Sequence, residues 1–309
     1  MSLQPGHVGS PPVRLPYHPP YDWPAALEFL THRAIEGVEQ VEGEVYRRTI
    51  RLQGACGAIA IEHDGSGSAL LATIGLPSAD QSHAAAGRLR RMFDLDADPR
   101  LIAEHLGRDP WLAPMLAARP GLRVFGGWDG YEVAARAIIG QQVTVGRARV
   151  LLGVLVDRCG EELPGGADGA LWRVFPSARQ VLGGDLSAMG MPGARVAALQ
   201  TVAEAALADS RLFERAGSLE ETVARLRAIR GVGEWTAQYI AMRACRQPDA
   251  FPGSDVGLLR GAAAATGGRP TPAELVSRAE AWRPWRAYAA QQLWARPTPP
   301  APPLPGPPP

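Results

Sequence analysis

The hydrophobic rhythm of the chain changes once. Up to about residue 107 helical and alternating patterns are mixed, and beyond it the pattern is helical. Residues 22–34 are predicted as a helix, because Trp23, Ala26, Leu27 and Leu30 recur at helical spacing. Tyr46, Ile50 and Leu52 then alternate with Arg47, Thr49 and Arg51, the period of a half-buried strand. Two more strand-like runs, residues 58–62 and 69–74, are joined by the turn-rich Asp64-Gly-Ser-Gly-Ser68. A second helix opens on the capping-box pattern Ser78-Ala-Asp-Gln81 and carries Leu89, Met92 and Phe93. In the second part Asp129-Gly-Tyr-Glu132, Ser218-Leu-Glu-Glu221 and Thr271-Pro-Ala-Glu274 have the same capping spacing, the last with proline at the first helical position. Residues 144–159 place Val145, Ala148, Leu152, Leu155, Val156 and Cys159 on one helical face.

These patterns predict an α+β N-terminal domain, a small antiparallel sheet with helices, over residues 14–107. An all-α domain follows over residues 108–296. Residues 1–13 are expected to form a flexible leader. The proline-dense residues 297–309, with no hydrophobic period, are expected to form a disordered tail.

Composition narrows the chemistry. The 309 residues suit two domains, and 46% hydrophobic with 20% charged is ordinary globular usage. Apolar runs fall far short of the roughly 20 residues that span a bilayer, so no membrane partner is expected. The first residues lack a basic and an apolar signal region. The three cysteines, Cys56, Cys159 and Cys245, have neither metal-ligand nor redox-pair spacing, which speaks against zinc, cysteine-held iron–sulfur and disulfide chemistry. A cytoplasmic compartment is expected. There is no lysine: all 32 basic residues are arginine. Side-chain amine chemistry and a phosphate-loop lysine are thereby excluded. A net charge of +1 does not by itself mark a nucleic-acid binder, although arginine exceeds the acids in the helical part.

The informative stretch is Leu226-Arg-Ala-Ile-Arg-Gly231-Val-Gly233-Glu-Trp235-Thr-Ala237. A helix runs into a glycine-valine-glycine turn and a second helix starts at once. Glycines allow a tight turn, and the unpaired N–H groups of a helix N-terminus favour a phosphate. Val232 is expected to point inward and pin the turn. Gly231, Gly233 and Glu234 are therefore candidate DNA-binding residues, although an ordinary αα-corner reads the same way. Further on, Phe251-Pro-Gly-Ser-Asp255 sets a carboxylate at a new helix start, where the dipole favours negative charge. Read alone, Asp255 is also an ordinary N-cap.

Taken together, the helix, Gly-Val-Gly, Trp-Thr-Ala and Phe-Pro-x-x-Asp resemble the helix-hairpin-helix DNA glycosylases, and within them the 3-methyladenine DNA glycosylase II, or AlkA-like, branch. Pro20-Tyr-Asp-Trp23, Arg136-Ala-Ile-Ile-Gly-Gln-Gln142-Val-Thr, Leu186-Ser-Ala-Met-Gly-Met-Pro-Gly193 and Trp282-Arg-Pro-Trp285 through Trp294 agree with that branch in order and spacing, over roughly residues 16–296. The resemblance implies that Asp255 is the catalytic carboxylate and that Trp235, Tyr239 and Trp294 line an aromatic cleft for a flipped base. It sets Gln141 and Gln142 beside the lesion. It also implies a sodium or potassium ion on the backbone carbonyls of Arg227, Ile229 and Val232, with no cofactor required. Two positions depart from the branch: Gln142 stands where a leucine wedge is usual, and Ala295 follows Trp294 where an aromatic is often found. The implied activity is monofunctional excision of alkylated purines, such as 3-methyladenine, from double-stranded DNA by a monomer associated with a bacterial nucleoid. A glycosylase for another damaged base and a non-catalytic DNA-binding module are the alternatives. The lysine that strand-cutting members use near the hairpin is replaced here by Trp235.

Overall fold

The computed structural model describes residues 11–163, 170–215 and 217–295; the expected leader up to residue 10 and the proline-rich tail lie outside them. Strand β1 (Val13–Pro16) is followed by α1 (Trp23–Arg33), β2 (Glu39–Glu42), β3 (Val45–Leu52), β4 (Ala55–His63), β5 (Ala69–Gly75) and α2 (Ala79–Met92). The strands form one antiparallel sheet in the order β1-β5-β4-β3-β2. One face of it carries Leu15, Tyr46, Ile50, Ile59, Ile61 and Leu70 against Trp23 and Leu30 of α1 and Leu89 of α2. Val13 already pairs with Ala72, so the sheet begins one residue before the expected domain start. The expected alternation in β3 fails at one point: Thr49 is fully buried. Its hydroxyl donates to the Arg173 carbonyl at 2.7 Å, so a later segment covers that face.

The helical part is built from α3 (Pro99–Leu106), α4 (Ala113–Ala118), α5 (Gly130–Ile139), α6 (Val145–Cys159), α7 (Ala178–Gly183), α8 (Gly193–Ala208), α9 (Leu219–Arg227), α10 (Glu234–Arg243), α11 (Val256–Thr266), α12 (Pro272–Ala279), a 3₁₀ turn at Glu280–Trp282 and α13 (Arg286–Ala295). It is not purely helical. A two-stranded ribbon, β6 (Glu161–Glu162) with β7 (Arg173–Val174), lies between α6 and α7. Its pairs are too short to impose a visible period-2 pattern, and it is the segment that covers Thr49. The capping patterns at Ser218 and Thr271 are complete boxes. Asp129 accepts from the Glu132 N–H at 2.8 Å, but the Glu132 carboxylate turns elsewhere. It meets Arg48 of β3 at 2.6 Å and Arg136 of α5 at 2.7 Å, and Arg136 also reaches Glu39 at 2.6 Å. Burial alone would raise the Glu132 carboxyl; the two guanidinium groups outweigh it and hold the carboxyl below its ordinary range. This buried quartet bolts the sheet to α5. Removing one member leaves an unpaired buried charge, at a cost of about 3–5 kcal/mol.

The expected buried face of α6 holds at Leu152, Leu155, Val156 and Cys159 but not at Val145, which is exposed together with Val150. The first turns of α6 project past the helical core, next to the loop that carries Gln142. Among the described residues no helix is long and apolar enough to cross a membrane.

Candidate active site

The turn between α9 and α10 is fixed by one glycine. Gly231 has φ +90°, and a Cβ there would overlap the Ala198 methyl of α8. Only a residue without a side chain satisfies both demands. Val232 is buried in the helical core, so the turn is pinned from inside. Gly233 differs: its φ is −85°, the space around it is open, and it caps α10 without a side-chain hydrogen bond. The N-terminus of α10 is thus left with uncovered backbone donors, the arrangement that suits a phosphate. Glu234 points along the surface, paired with Arg227 at 3.1 Å and accepting from Gln238 at 2.9 Å. The Ile229 carbonyl accepts from the Val232 N–H at 3.0 Å and closes the turn. The carbonyls of Arg227, Ile229 and Val232 bracket this turn as neutral, hard oxygen donors, a set whose chemistry fits an alkali cation.

Asp255 closes the loop before α11, its own N–H donating to the Pro252 carbonyl at 2.8 Å. Its Oδ1 caps α11 by accepting from the Leu258 N–H at 3.0 Å, and also accepts from the Trp294 indole N–H at 2.8 Å. Its Oδ2 accepts from the Trp235 indole N–H at 2.9 Å. A simple N-cap needs one oxygen and one backbone donor. Here three helices, α10, α11 and α13, converge on one half-buried carboxylate. Trp294 reaches it because α13 lies tight against α11. A Cβ on Gly261 would overlap the Leu293 carbonyl, and one on Gly257 would sit 3.0 Å from the Trp294 ring. The close approach leaves one trace in the sequence, the glycines four apart in Gly257-Leu-Leu-Arg-Gly261 on one face of α11, but which helix fills the space is set by the fold.

The rings around the carboxylate form a wall. Trp235 stacks on Tyr239 at 5.4 Å between centroids and 19° between planes, and Trp294 meets Tyr239 edge-on at 6.4 Å. Behind Tyr239 lies a group that sequence reasoning missed. Arg243, 4% exposed, has its guanidinium 5.1 Å from the Tyr239 centroid, 5.2 Å from Trp294 and 4.6 Å from Phe29 of α1. It donates to the Phe125 carbonyl at 2.6 Å and to Gln291 at 3.3 Å. Burial pushes its pKa down to about 10. Burial alone would raise the Tyr239 phenol; Arg243 and Arg33, the latter also from α1, outweigh it and lower it. A buried arginine with carbonyl and ring partners leaves no charge-pattern signature, so nothing in the sequence pointed to it.

Gln141 and Gln142 sit in the loop between α5 and α6. Gln142 is exposed and has φ +57°, a left-handed conformation that costs a residue other than glycine about 1–3 kcal/mol and gathers at functional sites. The Gln141 amide turns toward the hairpin, donating to the Gly231 carbonyl at 3.2 Å and the Thr236 hydroxyl at 3.0 Å. Of the other tryptophans near the C-terminus, Trp282 is structural: it is buried and donates to Asp109 at 2.8 Å.

The double role of the indoles is separable. Trp235→Phe keeps a ring face and deletes the N–H on Asp255; in the base-release reaction that the sequence resemblance implies, single-turnover release is expected to slow about tenfold, the worth of one charge-assisted hydrogen bond. Trp235→Leu removes the face as well and should add a further loss confined to positively charged bases. Equal rates for the Phe and Leu variants on such a base would show that the face does nothing.

A five-stranded sheet set against a helical bundle, with a glycine hairpin and an N-capping aspartate held among aromatic rings, is the arrangement of the helix-hairpin-helix DNA glycosylases. A 3-methyladenine DNA glycosylase from Archaeoglobus fulgidus has the same fold, with a TM-score of 0.79 at 20% identity, covering 92% of this chain and 96% of that one. A family model, the AlkA N-terminal domain, matches residues 12–129. DNA-3-methyladenine glycosylase 2 of Escherichia coli K12 is 32% identical over 283 residues, which cover 91% of this chain and 95% of that protein. The chain belongs to the DNA-3-methyladenine glycosylase 2, or AlkA, family. A Mycobacterium tuberculosis relative, a probable bifunctional transcriptional activator/DNA repair enzyme AlkA, is 36% identical over 288 residues; the chain spans 57% of its length.

Proposed function

We propose that this chain is a monofunctional DNA glycosylase that extrudes an alkylated purine, such as 3-methyladenine, from double-stranded DNA and hydrolyses its N-glycosidic bond in base excision repair. The observation that carries the reading is the Asp255 carboxylate, held by the indoles of Trp235 and Trp294 at the foot of the aromatic wall. A base inside the stack is out of reach, so the nucleotide must leave the duplex first. The donors at Gly231, Gly233 and the start of α10 grip a backbone phosphate. The carbonyls of Arg227, Ile229 and Val232 would hold a sodium or potassium ion there, adding positive charge beside the phosphate. Gln142 fills the vacated place and offers hydrogen bonds to the orphaned partner base.

An alkylated purine carries positive charge, which the faces of Trp235, Tyr239 and Trp294 attract. It is also a good leaving group, so the demand on the protein is small. As the C1′–N bond lengthens, the bonding pair leaves with the base, which becomes neutral, and Asp255 stabilises the cationic sugar; water then adds at C1′, oriented by the same carboxylate, and loses its proton to solvent. In this reading the enzyme acts as a monomer in the cytoplasm, at the nucleoid of a bacterium. The reading is tested by incubating the purified protein with methylated duplex DNA and measuring free methylated bases. Release of 3-methyladenine supports it, and absence of any released base overturns it.

The lack of lysine supports the monofunctional form. Strand-cutting glycosylases attack the sugar with an amine and form an imine. Here the product is expected to be an intact strand with an abasic site, and borohydride should trap no protein–DNA adduct. A robust trapped adduct would refute the water mechanism. It would also favour the second reading, a glycosylase of the oxidised-base type.

A further inference from the structure

The Gln141 amide is placed as a strut between two parts of the proposed DNA-binding surface. Its nitrogen has two hydrogens. One meets the carbonyl of Gly231, the turn residue of the hairpin, at 3.2 Å; the other meets the hydroxyl of Thr236, in the first turn of α10, at 3.0 Å. These contacts join positions 90 and 95 residues apart. Thr236 is itself buried, so one end of the strut is anchored in the core. At the other end the next residue is Gln142, exposed and left-handed at the loop tip. Within the loop the backbone is tied locally, Gln141 N–H to the Ile138 carbonyl at 3.2 Å and Val143 N–H to the Gly140 carbonyl at 3.5 Å. Among the described residues, the two bonds from the Gln141 amide are the side-chain hydrogen bonds that fix this loop to the hairpin.

Resting on the glycosylase reading above, we propose that Gln141 is a positioning residue that locks the Gln142 loop to the hairpin, so that gripping the backbone sets how deeply Gln142 enters the duplex. The two sites then act as one rigid jaw. A hairpin seated on its phosphate carries the loop tip to a fixed distance from the target nucleotide. Without the strut both sites persist, and DNA is still gripped, but the tip is free to retreat under the pressure of the stack. The work lost is the work of unstacking, not of bond cleavage.

That distinction sets the test. The full chain and its Gln141→Leu variant are compared in single-turnover base release from two oligonucleotides carrying one N7-methylguanine, either paired with cytosine or unpaired in a one-nucleotide bulge. A bulged base is already largely unstacked and needs little help to leave. The expected result is a loss of roughly tenfold or more on the paired substrate and no more than about threefold on the bulged one, with unchanged affinity for undamaged duplex. Thr236→Val should give a smaller loss of the same kind. The double variant should be no worse than Gln141→Leu alone, because the two residues share one interaction. Gln141→Glu keeps size and packing but replaces the donor with an acceptor facing the Gly231 carbonyl, and should behave like Leu.

Equal losses on paired and bulged substrates, or no loss on either, would overturn the proposal and return Gln141 to the base pocket or to plain packing. A Gln141→Leu chain that does not fold leaves Thr236→Val and Gln141→Glu to decide by the same ratio. Failure of the underlying reading is distinguishable, since the unmodified chain would then release no base from either oligonucleotide.

Discussion

Asp255→Asn is expected to fold, to bind duplex DNA and to release methylated bases at least about one hundred times more slowly, the scale of losing a key electrostatic group. The geometry says why the fold should survive. Asparagine is as good an N-cap as aspartate, and its remaining carbonyl oxygen can still serve Leu258 and one indole. The other indole N–H, that of Trp235, then faces an amide NH2 instead of an oxygen. That mismatch costs about 1–3 kcal/mol, enough to lower the melting temperature by a few degrees but not to unfold the chain. The rate loss has a separate source, because a neutral amide cannot stabilise a cationic sugar. Circular dichroism, duplex binding and single-turnover release on one preparation test the assignment. An Asn variant with unimpaired release would remove Asp255 from the chemistry.

Gly231→Ala should damage the protein from a different direction. The residue holds φ +90°, and its missing Cβ is where the Ala198 methyl lies. Left-handed strain and overpacking each cost about 1–3 kcal/mol, so the hairpin must shift or loosen. Duplex affinity should fall at least about tenfold, equally for all DNA sequences, because backbone donors carry no sequence information. Gly233→Asp is the informative partner. At φ −85° with open space around it, aspartate fits and improves the cap of α10 by a few tenths of a kcal/mol. Yet it sets a negative charge beside the backbone donors proposed to hold a phosphate. Stability and affinity should move in opposite directions for this variant. They should fall together for Gly231→Ala. A thermal melt and a binding isotherm for each separate the cases, and a change in which lesion is removed, at constant affinity, would move the hairpin into the base pocket.

Much of this architecture is written in local patterns. The helix at Trp23–Arg33, the three longer strands, and α2 and α6 follow from apolar spacing and capping residues that act within a few positions. The hairpin and the Asp255 turn are equally local, because glycine, proline and a cap residue constrain their own backbone. What was not legible depends on partners far along the chain. The short strands β1 and β2 exist because β5 and β3 offer them an edge. The wall behind the cleft needs Arg243 to meet Phe29, and the Trp294 contact needs Gly261 to admit α13. Gln141 shows the limit most sharply: the resemblance sets it on a loop, but only the fold shows its amide turned to Gly231.

The boundary between the two parts of the chain is woven, not hinged. Phe125 and Trp128 pack into the core of the sheet, while Ile35 and Val38 pack into the core of the helices. Phe29 and Arg33, from the first helix, stand behind the wall of Trp235, Tyr239 and Trp294. Neither half could therefore be exchanged for that of a relative without altering the cleft. A crossover near residue 108 would give a chimera in which the first half still set what packs behind the rings of the second. In such a protein the shape of the ring wall is inherited with α1 as much as with α10 and α13.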